Sequence, residues 1–286
     1  MLFCSQGVLI MSYYSVLGLD KEPFSTSPDP EFFYESPEHH AALMRSLIEL
    51  RLQRGLSLIL GDVGTGKTTL SRKLYQLLKE RDDVIFHMIL DPAFDTEELF
   101  LDSLVRTFQI DLRLNSPSIL DLKEAIKDYL FEVGVREKKT VVLLIDEAQK
   151  LNSVSLEALR VLLNYETNEY KLLQLILMGQ MEILPRVREI PNLWDRINLK
   201  YVINPFDEDE TQQMIDFRIR RAGGGNTRYF SKGAVNEIHK ATRGYPRQIS
   251  KLCHNALRSL VMKNKSMVEA DDIRELIDEE MRVIKS

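Results

Sequence analysis

The sequence predicts an α/β protein in which five strands form one parallel sheet with helices on both faces, followed by an all-helical domain. Three observations lead there. Short continuous apolar runs alternate with helical patterns, as at GLSLILG (55–61) and TVVLLID (140–146), and strands apolar at every position are buried on both faces, as in a covered parallel sheet. The rhythm stops at Asn204-Pro205-Phe206, after which only helical patterns follow. The chain has 286 residues, which at roughly 150 residues per domain accommodates one large domain and a smaller one.

Residues 1–35 read as an N-terminal extension and arm. Residues 1–10 precede a second methionine, Met11, and are expected to be a start-site extension or disordered tail. They lack the basic n-region and cleavage site of a signal peptide. Residues 13–34 are rich in aromatics and prolines, which suits an extended arm pinned to a globular body by its rings.

The core is assigned to 36–205. Ser36 can cap a helix that Pro37 and Glu38 open and that runs to about Arg54. The strand 55–61 follows, then a helix near 67–81, a strand at 84–90, a helix from about Asp95 and another near 118–136. The strand 140–146, a helix near 154–166, the strand 172–179 and a strand near 198–204 complete it. In the helical domain, assigned to 206–286, a helix opens on the acidic residues 207–210 and closes on Gly223, Gly224 and Gly225. Ile249, Leu252, Cys253, Ala256, Leu257, Leu260 and Val261 fall on one face of a later helix.

Composition excludes several classes. Lys plus Arg number 38 against 43 Asp plus Glu, a net charge of −5, so no overall field draws the chain onto nucleic acid or anionic lipid. Cys4 and Cys253 are too few for a disulfide framework or structural zinc site, which suits the cytoplasm. No apolar run is long enough for a membrane helix. HExxH, paired CxxC and GxSxG patterns are absent, leaving zinc and serine hydrolase chemistry without support. His39 and His40 are neighbours on a predicted helix and point to different faces, so they are not expected to share a metal.

The chemistry is carried by two motifs. GDVGTGKT at 61–68 follows an apolar strand and opens a helix, where a phosphate-binding loop must lie. Its glycines let the backbone of Gly61, Asp62, Val63, Gly64, Thr65 and Gly66 wrap a polyphosphate at a helix N-terminus, with Thr69 continuing the helix. Lys67 would neutralise the β- and γ-phosphates and the Thr68 hydroxyl would complete a Mg²⁺ shell. In VVLLIDEAQ at 141–149, Asp146 stands at the end of a buried strand, a costly place for a carboxylate unless it meets a cation, here Mg²⁺ through a water. Glu147 can polarise the attacking water. The pair predicts an ATPase that splits ATP into ADP and phosphate.

The arm YYSVLGLDKEPFSTSPDPEFFYESPEHHAAL, the phosphate loop, DEAQKL, the segment NYETNEYKLLQLILMGQ and GYPRQISKLCHNAL together resemble the general secretion pathway protein A (ExeA-like) branch of the AAA+ ATPases over residues 12–265. The arm and the NYETNEYKLLQ segment are the specific parts. The resemblance implies a P-loop AAA+ core with a five-stranded parallel sheet, a helical lid, and nucleotide between them. It implies that Gln180 is the sensor 1 residue at the water or γ-phosphate, and that Arg247 in GYPR is the sensor 2 arginine. Arg196 would be an arginine finger offered to a neighbouring subunit, with Arg186 and Arg188 as competitors. For Phe33 and Tyr34 it leaves two alternatives, a place near the adenine or packing of the arm. GQMEI and GYPRQIS depart from the commoner GQPEL and GxPRxIN without removing a charged group. Fuller members continue through a membrane helix into a peptidoglycan-binding region; this chain ends at Ser286, and only the ATPase module is expected.

The implied function is a cytoplasmic, homo-oligomeric ATPase, a hexameric ring being one form. It would power or regulate assembly of an envelope machine for type II secretion, pili or exopolysaccharide export, and a partner could hold it at the inner membrane. The alternative is an ATP-switched, DNA-associated regulator of the transposition or initiator type. That reading draws on RIRR at 218–221, Arg228, Arg258, Lys263 and Lys265, against the acidic stretch EADDIRELIDEE, and any DNA binding would be weak.

Overall fold

The computed structural model describes residues 12–25, 29–112, 114 and 116–285. The extension expected over 1–10, with Cys4, lies outside them. The chain divides into two compact units: residues 37–204, and residues 205–286 together with those up to Ser36.

The first unit is built on five parallel strands: β1 (Leu56–Gly61), β2 (Val84–Ile89), β3 (Thr140–Ile145), β4 (Leu173–Gly179) and β5 (Ile197–Ile203). Their order across the sheet is β2-β3-β4-β1-β5. β1 and β4 are buried at every position, and β3 at all but its first, because helices cover both faces. The edge strand β5 alternates buried and more exposed residues through Ile197, Asn198, Leu199 and Lys200, as a half-covered strand does. Since β1 sits between β4 and β5 in register Leu58↔Leu177 and Leu58↔Lys200, the loop after β1 emerges at the carboxyl edge flanked by a strand on either side. Ligands of open α/β sheets bind at that edge.

The helices begin where the local chemistry favours them. Thr96 caps Glu97–Thr107 by accepting from the Leu99 N–H, and Ser118 with Asp121 forms a capping box on Ile119–Phe131, each satisfying backbone donors that a first turn leaves open. The predicted 118–136 helix is α-helical to Phe131 and continues as a π-turn, Glu132–Arg136. Two short helices not predicted from the sequence, Ile183–Arg188 and Pro191–Trp194, lie between β4 and β5.

The second unit has a core of its own. Asp207 and Glu210 form a capping box on the helix Glu208–Ile219. The helix Pro246–Met262 buries Ile249, Leu252, Cys253, Ala256, Leu257 and Leu260. The arm is a structural part of this unit, and it is not wholly extended: Tyr13–Val16 makes a helical turn and Pro30–Phe32 a 3-10 turn. Phe24 and Phe32 are buried in the same cluster as Ile215, Phe230 and Ile249. Hydrogen bonds to the backbone seal it, with the Asp20 N–H donating to the Ala222 carbonyl at 2.7 Å and the Tyr229 hydroxyl donating to the Leu17 carbonyl at 2.7 Å. Arg218 donates to the Ser25 carbonyl at 3.2 Å, and burial lowers its guanidinium to about 10, so it remains cationic at neutral pH.

Candidate functional site

The loop between β1 and the helix Lys67–Leu78 cannot be built from ordinary residues. A Cβ on Gly61 would lie 2.7 Å from Thr65 Oγ1 and 2.9 Å from the Ile203 carbonyl oxygen. Gly64 and Gly66 have φ of 85° and 98°, the left-handed region that glycine enters without steric cost. Such alternation turns successive N–H groups toward one concavity, an anion-binding nest, and the following helix N-terminus adds its dipole.

Three side chains brace this loop. The Thr65 hydroxyl donates to the Asp62 carbonyl at 2.9 Å. Lys67 Nζ donates to the Gly61 and Asp62 carbonyls at 2.8 and 2.9 Å. The imidazole of His39 is buried and holds the Thr65 carbonyl at 2.7 Å through Nε2, which must therefore carry the proton. His39 thus serves as a strut under the loop. Burial pulls the Lys67 amine below its ordinary range, opposed by the carboxylates of Asp146, Glu147, Asp62 and Glu182. An ammonium has three donors; two go to the carbonyls, and the third is available to an oxyanion.

Asp146 follows β3 directly and is 1% exposed. Its carboxylate accepts from the Glu147 N–H at 2.9 Å and from the Thr68 hydroxyl; burial raises its carboxyl above the usual carboxylate range against the pull of these two bonds. Among the described residues no group of three or more His, Cys, Asp or Glu is placed to hold a metal. Thr68 and Asp146 form a smaller all-oxygen pair, a donor set that suits Mg²⁺ when phosphate oxygens and waters complete its shell. The loop and this pair together fit a magnesium nucleotide.

Glu147 has left-handed backbone, φ 52° and ψ 35°, a conformation that costs energy for a side chain other than glycine and is retained at functional sites. Gln149 ties it to the neighbouring strand: Nε2 donates to Glu147 Oε2 at 2.7 Å while Oε1 accepts the Gln180 N–H at 3.0 Å. Arg186 donates to the backbone carbonyls of Gln149 and Leu151. Sequence reasoning assigns no role to Gln149, although it stands two residues from Glu147 within DEAQ.

The other arginines are elsewhere. Arg188 is exposed and lies over the Trp194 ring at 5.2 Å. Arg196 donates to the Arg160 carbonyl at 3.3 Å and lines a cleft of about 230 Å³ with Arg54, Lys171 and Asn198. Its neighbour Ile197 pairs with Leu56, the first residue of β1. The phosphate loop leaves the far end of that six-residue strand, about 20 Å away at 3.3 Å per residue, so Arg196 cannot serve the loop of its own chain. Lys171, which pairs with Glu166, lines the same cleft and β4 begins two residues later at Leu173, so the NYETNEYK segment lies at the same amino end of the sheet. In the second unit, Arg247 is exposed in the first turn of Pro246–Met262. Tyr34 packs edge-on to Phe206 at 5.5 Å and donates to Gln213 Oε1 at 2.7 Å.

Comparison with known proteins agrees with this geometry. The AAA domain family matches residues 50–187. General secretion pathway protein A of Aeromonas hydrophila is 35% identical over 263 residues, 91% of this chain and 47% of that protein, so the chain spans about half the length of this relative. Among solved structures, the Aeropyrum pernix ORC2 protein has a TM-score of 0.65 at 19% identity, covering 91% of this chain and 71% of that one. Cdc6p of Pyrobaculum aerophilum gives 0.66 at 19% identity, covering 90% and 70%; these two share the fold. The chain therefore carries an AAA domain over residues 50–187 and is similar over 91% of its own length to general secretion pathway protein A.

Proposed function

We propose that this chain binds ATP with Mg²⁺, hydrolyses it in an assembly of its own copies, and powers or regulates a cell-envelope machine. One observation carries the reading: the phosphate cradle at 61–68 lies beside Asp146 and Glu147 at the carboxyl edge of the sheet. The loop N–H groups and Lys67 hold the phosphates, and Thr68 with Asp146 holds Mg²⁺. When bound, Mg²⁺ supplies positive charge against the phosphate oxygens. Glu147 takes a proton from the attacking water, and Gln180, at the end of the adjacent strand, orients water or γ-phosphate. Arg247 is proposed to reach the γ-phosphate. A cation in a first helical turn opposes the helix dipole, and an anion there would relieve that opposition.

Likeness to a protein named for general secretion supports the envelope assignment. The DNA-associated alternative has less to draw on, because several of its cations are already engaged: Arg218 is buried against the arm, Lys263 pairs with Glu275 and Lys265 with Asp272. Among the described residues no helix is long and apolar enough to cross a membrane; a partner that holds the chain at the inner membrane is part of the proposal.

Phosphate release from ATP tests the reading. Release is expected with Mg²⁺ and is expected to fall to background when the metal is chelated, returning when Mg²⁺ is restored. Turnover of equal rate in excess chelator would contradict the role of Thr68 and Asp146.

A further inference from the structure

We infer that Gln149 is a positioning residue for hydrolysis, coupling the Glu147 carboxylate to the chain at Gln180; this rests on the ATPase reading above. Both ends of the Gln149 amide are committed, one to Glu147 at 2.7 Å and one to the Gln180 N–H at 3.0 Å. The orientation is unique. A flipped amide would set its oxygen against a carboxylate and its NH₂ against an N–H, two repulsive contacts in place of two bonds.

The surroundings leave the link little freedom. A Cβ on Gly179 would stand 3.1 Å from both the Gln149 backbone N and Oε1, and 3.3 Å from Ala148 Cβ, so the loop after β3 lies flush against the end of β4. Arg186, a competitor of Arg196 for the finger role, donates to the Gln149 and Leu151 carbonyls from the helix Ile183–Arg188. The amide therefore spans two strand ends whose residues come together only by folding. A shift of the chain at Gln180 pulls on Gln149, and Gln149 moves the Glu147 carboxylate. One carboxylate oxygen is held, and the other is left to face a water. A displacement of the carboxylate by about 1 Å costs on the order of 10²-fold in rate, so the bond sets turnover without touching the nucleotide.

The test uses Gln149→Glu and Gln149→Met in the full chain. Gln149→Glu has nearly the same shape and keeps the acceptor for the Gln180 N–H, but replaces the donor with a like charge beside Glu147. Both variants are expected to lower kcat by about 10²-fold, with ATP affinity and Tm near wild type. Gly179→Ala, which crowds the same amide, is expected to lower kcat in the same direction. In a Glu147→Gln background, Gln149→Met is expected to cost no further rate, because a residue acting through the carboxylate has nothing left to position. Unchanged kcat in both Gln149 variants, a parallel loss of ATP affinity, or full additivity with Glu147→Gln would overturn the inference. Wild-type turnover that responds to Glu147 and not to Gln149 rejects this link alone, whereas a wild type without turnover rejects the ATPase reading and the link together.

Discussion

Arg196→Ala is expected to slow ATP turnover by about 10³- to 10⁵-fold, the range an arginine finger contributes when it acts in trans on the charge developing in phosphoryl transfer. ATP binding to the single chain should be unchanged, because Arg196 sits at the amino end of the sheet, beside Ile197 and Leu56, while the phosphate loop leaves the carboxyl end. Wild-type specific activity should rise with protein concentration. The decisive form of the experiment mixes two inactive proteins, Arg196→Ala with an intact loop and Lys67→Ala with an intact finger. Where subunits exchange, some interfaces pair a good loop with a good arginine, and part of the activity returns. An Arg196→Ala protein as fast as wild type would pass the role to Arg188. Arg186 is a weaker successor, since its guanidinium is bound to the Gln149 and Leu151 carbonyls.

Glu147→Gln is expected to separate binding from chemistry. The amide preserves the size of the side chain and leaves the cradle, Thr68 and Asp146 in place, but it cannot accept a proton from water, and a positioned general base contributes about 10²- to 10⁴-fold. Single-turnover phosphate release should fall by that amount while ATP affinity remains within the wild-type range. A loss of affinity equal to the loss of rate would place Glu147 in binding rather than in chemistry.

Much of this was legible in the sequence, for physical reasons that also mark where legibility stopped. The strands β1, β3 and β4 were visible because burial on both faces keeps them almost wholly apolar, whereas the edge strands β2 and β5 are only partly covered and carry less uniform sequences, β5 with Asn198 and Lys200 among its apolar residues; the phosphate loop was visible because a turn with two left-handed residues needs its glycines. The strand order was not, since placing β1 between β4 and β5 depends on pairings across more than a hundred residues. Ile183–Arg188 and Pro191–Trp194 are each under two turns and carry too few residues for a helical period to register. The arm's aromatic character was plain, but its helical turns depend on partners such as Ala222 and Tyr229, some 200 residues away. Within the site, Lys67, Asp146 and Glu147 announced themselves by motif. His39 and Gln149 did not, because their importance comes from what they touch: the Thr65 carbonyl in one case, Glu147 and Gln180 in the other.

The central claim is that residues 61–68 hold the phosphates of a nucleotide, and the most direct measurement is the affinity of wild type and Lys67→Ala for ATP and for adenosine, by calorimetry in Mg²⁺. A charge-assisted bond to phosphate contributes about 1.5–3 kcal/mol, so ATP is expected to bind Lys67→Ala about 10- to 100-fold more weakly. Adenosine, which has no phosphate, should bind both proteins alike. Equal ATP affinity in the two proteins, or an equal loss for adenosine and ATP, would contradict the assignment of the phosphates to this loop.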